Sequence, residues 1–322
     1  MRRGGHFRNR GCPVESQRVS LTNDPDPFDA IGFGPAPAAP VVPPPPPAPE
    51  RVDPPAPIRL VAIDLDGTLL NAAKQVSEQT VQAIACLPGR GVRVVIATAR
   101  PPRSVRAIYQ RLGLDTYQIN YNGALIWDEP RREAVFHRPM SGELVRELIA
   151  YGRSVYADLL VSCEVMDRWY TDRHDPQYTT ETGRMFKPDV ICDVDGMCAQ
   201  PVTKLMFLGH PELITELEPL FDGPLKEKIT AVRADADLLQ IMDRRVSKGV
   251  ALTRIAEHYG VPMEQVMAIG DAPNDVGMLQ SAGVAIAVDN AHERVKQVAH
   301  WVAPSNNDHG VHAALVRYGV CD

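Results

Sequence analysis

The sequence predicts an α/β fold, a doubly wound parallel sheet interrupted by an inserted α+β segment. Two observations carry that prediction. From Ile58 onward, short runs of branched apolar residues alternate with segments whose apolar residues recur at helical spacing, in two separate series. Between the series, from about residue 137 to residue 243, close-set strand candidates mix with helices, which suits antiparallel pairing. A third observation bounds the fold at its start. Residues 34–57, GPAPAAPVVPPPPPAPERVDPPAP, form a proline tract that can enter neither a helix nor a sheet ladder.

Residues 1–57 therefore read as a tail, polyproline II or disordered, since the residues ahead of the tract show no periodicity. LVAI, ending at Asp64, reads as a strand buried on both faces. Ser77 is placed to cap a helix through Val81, Ile84 and Leu87. Gly91 opens the strand VRVVIAT, which ends at Thr98. Pro102 starts a helix through Val105, Ile108 and Leu112, and a strand is expected in YQINYNGALIWD. In the insertion, SGELVRELIAYG and PELITELEPLF read as helices, and VYADLLVSCEV, KLMFLG, ITAVRA and LLQIMD as strands. The later series runs helix 248–259, strand VMAIG, helix 275–280, strand VAIAV, helix 291–298 and strand HWVAP. The expected organisation is tail 1–57, core 58–136, cap 137–243 and core again 244–322.

Composition removes several function classes. The chain has 322 residues, 44% hydrophobic and 23% charged, the balance of an ordinary globular protein. Its 34 basic and 40 acidic residues give a net charge of −6, which disfavours a nucleic-acid partner. No apolar run reaches the roughly 18–20 residues of a membrane span, so no membrane role is expected. The basic start MRRGGHFRNRGCPVESQ has no apolar segment behind it, unlike a secretory signal. The six cysteines form no C-x-x-C pair, and Cys192 and Cys198 read as plain thiols in a reducing compartment. The expected location is the cytoplasm. The proline tract suits a weak contact with an aromatic-grooved partner, although a linker or an over-extended start is the plainer account.

Polar groups gather at three strand ends. Asp64 and Asp66 follow the first strand in DLDGTLL, with Leu65 turned away so that both acids can serve one cleft. Gly67 then allows a tight bend. An unpaired buried charge is costly, so two acids at the end of a core strand either lie solvated or hold something positive. Thr98 ends the next strand, and GDAPNDVGML brings Asp271, Asn274 and Asp275 to the end of VMAIG. Lys248 opens a helix, where a lysine opposes the helix dipole. Ligands of open α/β sheets bind beyond the carboxyl ends of the strands. Several carboxylates around one cleft cannot all ionise without a cation, and hard oxygen ligands suit Mg²⁺ shared with a substrate phosphate. With a lysine and a hydroxyl added, the set matches phosphoryl transfer. Singly, each residue has a blander account: a turn aspartate, a strand threonine, a solvated lysine, an aspartate cap at Asp275.

Together, DLDGTLL, Thr98 in VVIATAR, Lys248 in SKG and GDAPNDVGML resemble the four motifs of the haloacid dehalogenase-like (HAD) phosphatases. The arrangement is similar to the Cof-type subgroup with a C2-type cap. NGALI, AVDNAHERVKQVA and SNNDHGV add to the resemblance, which covers residues 58–322. Ala272 departs from it, standing where the family usually has Gly or Ser. The resemblance implies a Rossmann-like core, Mg²⁺ as cofactor and a small phosphorylated metabolite as partner. It implies a phosphatase acting on sugar phosphates or phosphorylated cofactors. Asp64 would attack phosphorus and become an aspartyl-phosphate, while Asp66 would protonate the leaving oxygen and then activate water. Thr98 and Lys248 would hold the phosphoryl group. Asp64, the Asp66 carbonyl, Asp271 and Asp275 would hold Mg²⁺, with Asn274 helping to orient the site. Arg100 and Asn122 would line the entrance. Two rival readings stay open: a phosphotransferase or phosphomutase using the same intermediate, and a non-catalytic scaffold recruited through the tail.

Two further stretches invite a reading. VICDVDGM repeats D-x-D-G at Asp193 and Asp195 but lacks the following Thr, and reads as a surface turn. Asp167, Arg168, Tyr170 and His174 offer possible substrate contacts in the insertion, where a polar loop is the blander account.

Overall fold

Strand β1 (Leu60–Asp64) has no exposed side chain along its length. Full burial of such residues contributes about 1.5–3 kcal/mol each for the larger ones. Its register is held by its end: a one-residue slip would pull Asp64 into an apolar layer. The computed structural model describes residues 53–178, 181–221 and 224–322. Most of the expected tail, including Cys12 and nearly all of the proline tract, lies outside the described residues.

After β1 come α1 (Glu78–Cys86), β2 (Arg93–Ala97), α2 (Pro102–Arg111), β3 (Gln118–Asn120), β4 (Leu125–Asp128) and β5 (Glu133–His137). The insertion holds α3 (Gly142–Val155), β6 (Leu160–Val165), β7 (Arg168–Thr171), α4 (Glu181–Met185), β8 (Val190–Ile191) and α5 (Val194–Cys198). It continues with β9 (Lys204–Leu208), α6 (Pro211–Phe221), β10 (Ile229–Asp235) and β11 (Leu238–Asp243). The chain closes with α7 (Lys248–His258), β12 (Val266–Gly270), α8 (Val276–Ser281) and β13 (Val284–Val288). Last come α9 (Glu293–Lys296), β14 (Trp301–Ala303) and α10 (Gly310–Arg317). Among the described residues, no helix is long and apolar enough to cross a membrane.

The strands form two sheets. The larger has eight strands in the order β14-β13-β12-β1-β2-β3-β4-β5. From β14 to β3 the pairing is parallel, and β4 and β5 add an antiparallel edge. The strand order turns around at β1, flanked by β2 and β12, so a crevice opens beyond their carboxyl ends. The smaller sheet has six strands in the order β10-β11-β9-β6-β7-β8. Its alternate residues divide the work. Val161, Cys163, Leu205, Phe207, Leu239 and Ile241 pack on one face with Val145 and Leu148 of α3 and Ile214 and Leu217 of α6. The opposite face carries Leu160, Met206, Leu208 and Leu238, together with Glu164, Trp169 and Lys204.

The structure adds β5, β7, β8 and α4 to the elements expected from the sequence, and departs from that reading at three further places. YQINYNGALIWD is two antiparallel strands, because Tyr121, Asn122 and Gly123 all take positive φ (49°, 55° and 101°) and reverse the chain. A side chain at Gly123 would collide with the Ser247 carbonyl, so this hairpin tip is seated on the start of α7. Helix α9 is shorter than expected since the residues before it bond elsewhere: Asn290 Nδ2 to the Gly67 carbonyl and His292 N to the Asp271 carbonyl. VICDVDGM is no bare turn. Asp193 caps the short α5 by accepting from Gly196 N, and Asp195 pairs with Arg146 at the surface.

The two sheets meet through a buried ionic seam. Arg103 and Arg106 of α2 face Glu164 and Asp167 of the insertion: Arg103 Nη2 is 2.7 Å from Glu164 Oε1, and Arg106 Nη2 is 3.2 Å from Asp167 Oδ2. Arg106 also holds Glu129, whose other oxygen accepts from Trp127 Nε1. Tyr121 OH reaches the Met166 carbonyl at 2.6 Å. The contact candidate Asp167 therefore belongs to this seam. Arg168 is exposed, and Tyr170 packs on the helical face of the smaller sheet.

Candidate active site

The D-x-D-G-T segment folds as its residue types require. Asp64 is buried at the tip of β1, Leu65 turns into the core and Asp66 stays half-buried. Gly67 has a φ of 81°, and any side chain there would strike the Asp271 carboxylate. Thr68 explains the fifth motif position, which composition alone left unassigned: its Oγ1 donates to Asp271 Oδ1 at 2.7 Å. The first and last motifs are thus bonded to each other. Thr98, buried just past β2, has its backbone carbonyl bonded by Asn122 N, while its Oγ1 accepts from Arg100 N.

Lys248 is the hub. Ser247 caps α7 through its hydroxyl, and the lysine side chain then runs inward with almost no exposure. Its Nζ donates to Asp64 Oδ1 at 2.5 Å and to Asp275 Oδ1 at 2.6 Å. The second oxygen of Asp275 accepts from Asp271 N and Ala272 N, at 3.0 and 2.9 Å, which folds the 271–275 loop back on itself. These bonds come from backbone groups, so Ala272 in place of Gly or Ser alters no bond in the loop. Asp64, Asp271 and Asp275 present oxygens that all lie within 4.8 Å of one another.

One lysine does not neutralise three carboxylates. Burial raises the Asp64 pKa well above its ordinary value, and the negative charge of Asp275 adds to this against the pull of Lys248. Asp271 is likewise raised by burial, with Thr68 pulling the other way. Burial works against the charge of Lys248, but Asp275 and Asp64 together outweigh it and keep the ammonium protonated. Such a cluster ionises fully only around a further positive charge. An all-oxygen donor set fits a hard divalent cation, Mg²⁺ above all, so the residues present suit the cofactor that the motifs imply.

Asp66 sits in different surroundings. Arg100 Nε and Nη2 grip its two oxygens at 2.7 and 2.6 Å, and Lys74 Nζ adds a contact at 2.7 Å. Burial alone would raise its pKa, yet Arg100 and Lys74 overcome burial and lower it. Asn274 Nδ2 donates to Asn122 Oδ1 at 2.9 Å, joining the last motif to the hairpin tip. Asp64, Asp66, Thr98, Arg100, Asn122, Lys248, Asp271, Asn274 and Asp275 therefore gather at the crevice beside β1, whereas Asp167, Arg168, Tyr170, Asp193 and Asp195 lie elsewhere in the insertion. A cavity of about 890 Å³ opens above, with Asp66, Arg100, Asn122, Lys248 and Asn274 on its floor and Glu164, Trp169 and Lys204 on its roof. Periodicity gave no reason to single out Lys74 or the three roof residues. The one available signal was a lysine opening the otherwise apolar run KLMFL.

Residues 61–315 match the family of haloacid dehalogenase-like hydrolases. The chain belongs to that family. This hydrolase is 32% identical over 264 residues to the 5-amino-6-(5-phospho-D-ribitylamino)uracil phosphatase YitU of Bacillus subtilis, covering 80% of the chain and 97% of YitU. It is 32% identical over 235 residues to the HMP-PP phosphatase of Cronobacter sakazakii, covering 72% of the chain and 85% of that protein. A haloacid dehalogenase-like hydrolase from Bacteroides thetaiotaomicron shares the fold with a TM-score of 0.72 and 26% identity, over 81% of this chain and 99% of that one. The HAD-like hydrolase described here is of the Cof type, and its class is phosphoric monoester hydrolase.

Proposed function

We propose that this HAD-like hydrolase is a Mg²⁺-dependent phosphatase of small phosphomonoesters that works through an aspartyl-phosphate on Asp64. The observation that carries the reading is the Lys248 bridge between Asp64 and Asp275 at the tip of the central strand. It favours the ionised Asp64 against burial and the charge of Asp275, and a bound divalent cation would complete that ionisation. Asp64 Oδ attacks phosphorus, and the ester oxygen departs with a proton from Asp66. Water then attacks the acyl phosphate after giving its proton to Asp66, and inorganic phosphate leaves. Thr98 and Lys248 hold the phosphoryl oxygens through both steps. Asp64, Asp271, Asp275 and the Asp66 carbonyl would hold Mg²⁺, which supplies positive charge to the phosphoryl oxygens when bound.

Asp66 reaches its acid form only if Arg100 lets go, because the contacts with Arg100 and Lys74 favour the carboxylate. An arriving phosphate dianion offers both cations a stronger partner, which frees Asp66 as the substrate seats. Arg100 and Asn122 then act as entrance residues that respond to occupancy, and Asn274 keeps the metal loop in register with the hairpin tip.

In this reading residues 58–136 and 244–322 are the catalytic core, and residues 137–243 are a cap that covers the leaving group. Small phosphorylated metabolites are the substrates, in line with the activities for which YitU and the HMP-PP phosphatase are named. The deciding experiment is a screen of phosphorylated metabolites with and without Mg²⁺, joined to acid quenching with phosphate-labelled substrate. Free phosphate and label on the Asp64 peptide are expected. Turnover that persists in a chelator, or label on no aspartate, would overturn the reading.

A further inference from the structure

The roof of the cavity carries two hydrogen-bond donors without an acceptor among the described residues. Lys204 opens β9, faces the cavity and is only 5% exposed. An ammonium has three N–H donors. Among the described residues that of Lys204 makes neither a hydrogen bond nor an ion pair, and its Nζ lies 5.1 Å from the centre of the Tyr121 ring. Trp169 lines the same cavity, and its indole Nε1 is buried without an acceptor among the described residues.

Sheet register puts these donors in one row. Lys204 is opposite Glu164 on β6, and Glu164 is opposite Trp169 on β7. Glu164 is not their acceptor, since Arg103 takes Oε1 at 2.7 Å and Tyr121 OH reaches Oε2 at 3.3 Å. Unmet buried donors are destabilising, and a buried cation more so. Burial pushes the Lys204 ammonium down to about 8, with Glu164 opposing, so it is still charged at neutral pH. A cation beside a neutral N–H selects an anionic acceptor over a neutral one.

We propose that Lys204 and Trp169 form a second anion subsite, which holds a carboxylate or second phosphoryl group on the leaving group of the substrate. The transferred phosphoryl group would sit on the floor at Asp64 and Lys248, and the other anion would meet the roof. The preferred substrates are then phosphomonoesters bearing a second negative group, a class narrower than sugar phosphates in general. This rests on the phosphatase reading above. The other acids of the cavity do not oppose such a ligand strongly: Asp66 is paired with Arg100 and Lys74, and Asp235 shares the wall with Arg233.

The test measures binding to the full chain carrying Asp64→Asn, by calorimetry in magnesium buffer. One arm compares 3-phosphoglycerate with glycerol 3-phosphate, and the other compares fructose 1,6-bisphosphate with fructose 6-phosphate. In at least one arm the doubly anionic ligand should bind about tenfold tighter or better. The arm that responds identifies the carboxylate or the phosphoryl group. Adding Lys204→Met should erase that advantage, Lys204→Arg should retain most of it, and Trp169→Phe should reduce it. Thermal unfolding confirms that each variant folds, and Trp169→Phe carries the test if Lys204→Met does not. No preference in either arm, or a preference that survives both substitutions, overturns the subsite. Turnover of p-nitrophenyl phosphate by the unaltered chain tests the phosphatase reading separately. Its absence beside an intact anion preference would sink that reading and leave the subsite standing.

Discussion

Arg103 in α2 donates to Glu164 in β6 at 2.7 Å, across the seam between the two sheets, with only 8% and 3% of the side chains exposed. This pair fastens the roof of the cavity to its floor. Its environment makes it costly to half-remove. Arg103→Met leaves Glu164 with only the longer Tyr121 contact, and should destabilise the chain by about 3–5 kcal/mol in urea unfolding. Amide exchange should rise along the seam before it rises in β1. A loss below about 1 kcal/mol, or exchange that stays uniform, would mean that the seam does not hold the sheets together.

Asp64→Asn keeps the shape of the side chain proposed as nucleophile and removes its charge. Turnover should fall by more than about a thousandfold, with the unfolding midpoint little changed. Steady-state phosphate release on any hydrolysed metabolite measures it. Retention of more than a few per cent of activity would place the attack elsewhere.

Lys248→Met withdraws the cation that Asp64 and Asp275 share. Two buried carboxylates then face each other, and a loss of about 3–5 kcal/mol is expected without metal. Mg²⁺ should return part of the lost melting temperature, because it brings positive charge to the same oxygens. Melting curves with and without Mg²⁺ decide the point. Equal losses in both conditions would argue against a metal seat on this cluster.

Lys204→Met should stabilise the chain while weakening substrate binding. The ammonium titrates at about 8 when folded, below the roughly 10.4 of an unfolded chain. Below pH 8 both states carry the proton, and the native state bears the full penalty of the buried charge. Between the two values the unfolded state holds more protons, so native stability climbs with pH. The variant should therefore gain about 3 kcal/mol at pH 7 and lose that lead near pH 10.4. Urea titrations at pH 7 and pH 10 would show it. A variant that is less stable at pH 7, or a gap that ignores pH, contradicts the account.

Much of the floor was legible because its chemistry demands residue types at fixed distances from strand ends. Asp64 with Asp66, Thr98, and Asp271 with Asp275 each mark the point where an apolar strand stops, and Lys248 opens a helix. What could not be read was set by pairing between distant strands. Nothing in KLMFL or in VSCEV says that Lys204 comes to lie opposite Glu164, because register is a property of two strands and the pattern belongs to one. The hairpin at Tyr121–Gly123 was hidden for a related reason. Its apolar flanks run together as one strand, and only the positive φ values separate them. Arg100 was placed at the entrance, but its grip on Asp66 depends on rotamers that no spacing rule supplies.

The position of β1 also sets the order in which the molecule can be built. Leu60 pairs with Arg93 on one side and with Val266 on the other. A ribosome adding about 5–20 residues each second leaves β1 with one bare edge for on the order of ten to forty seconds. By the end of that time the six-stranded sheet has all of its strands available, while the larger sheet has five of its eight. An apolar strand with an open edge is a template for joining other chains, so the nascent protein is most vulnerable to aggregation in this interval. The candidate site is completed late in synthesis, since Lys248 and Asp271 emerge after the residues that line the roof.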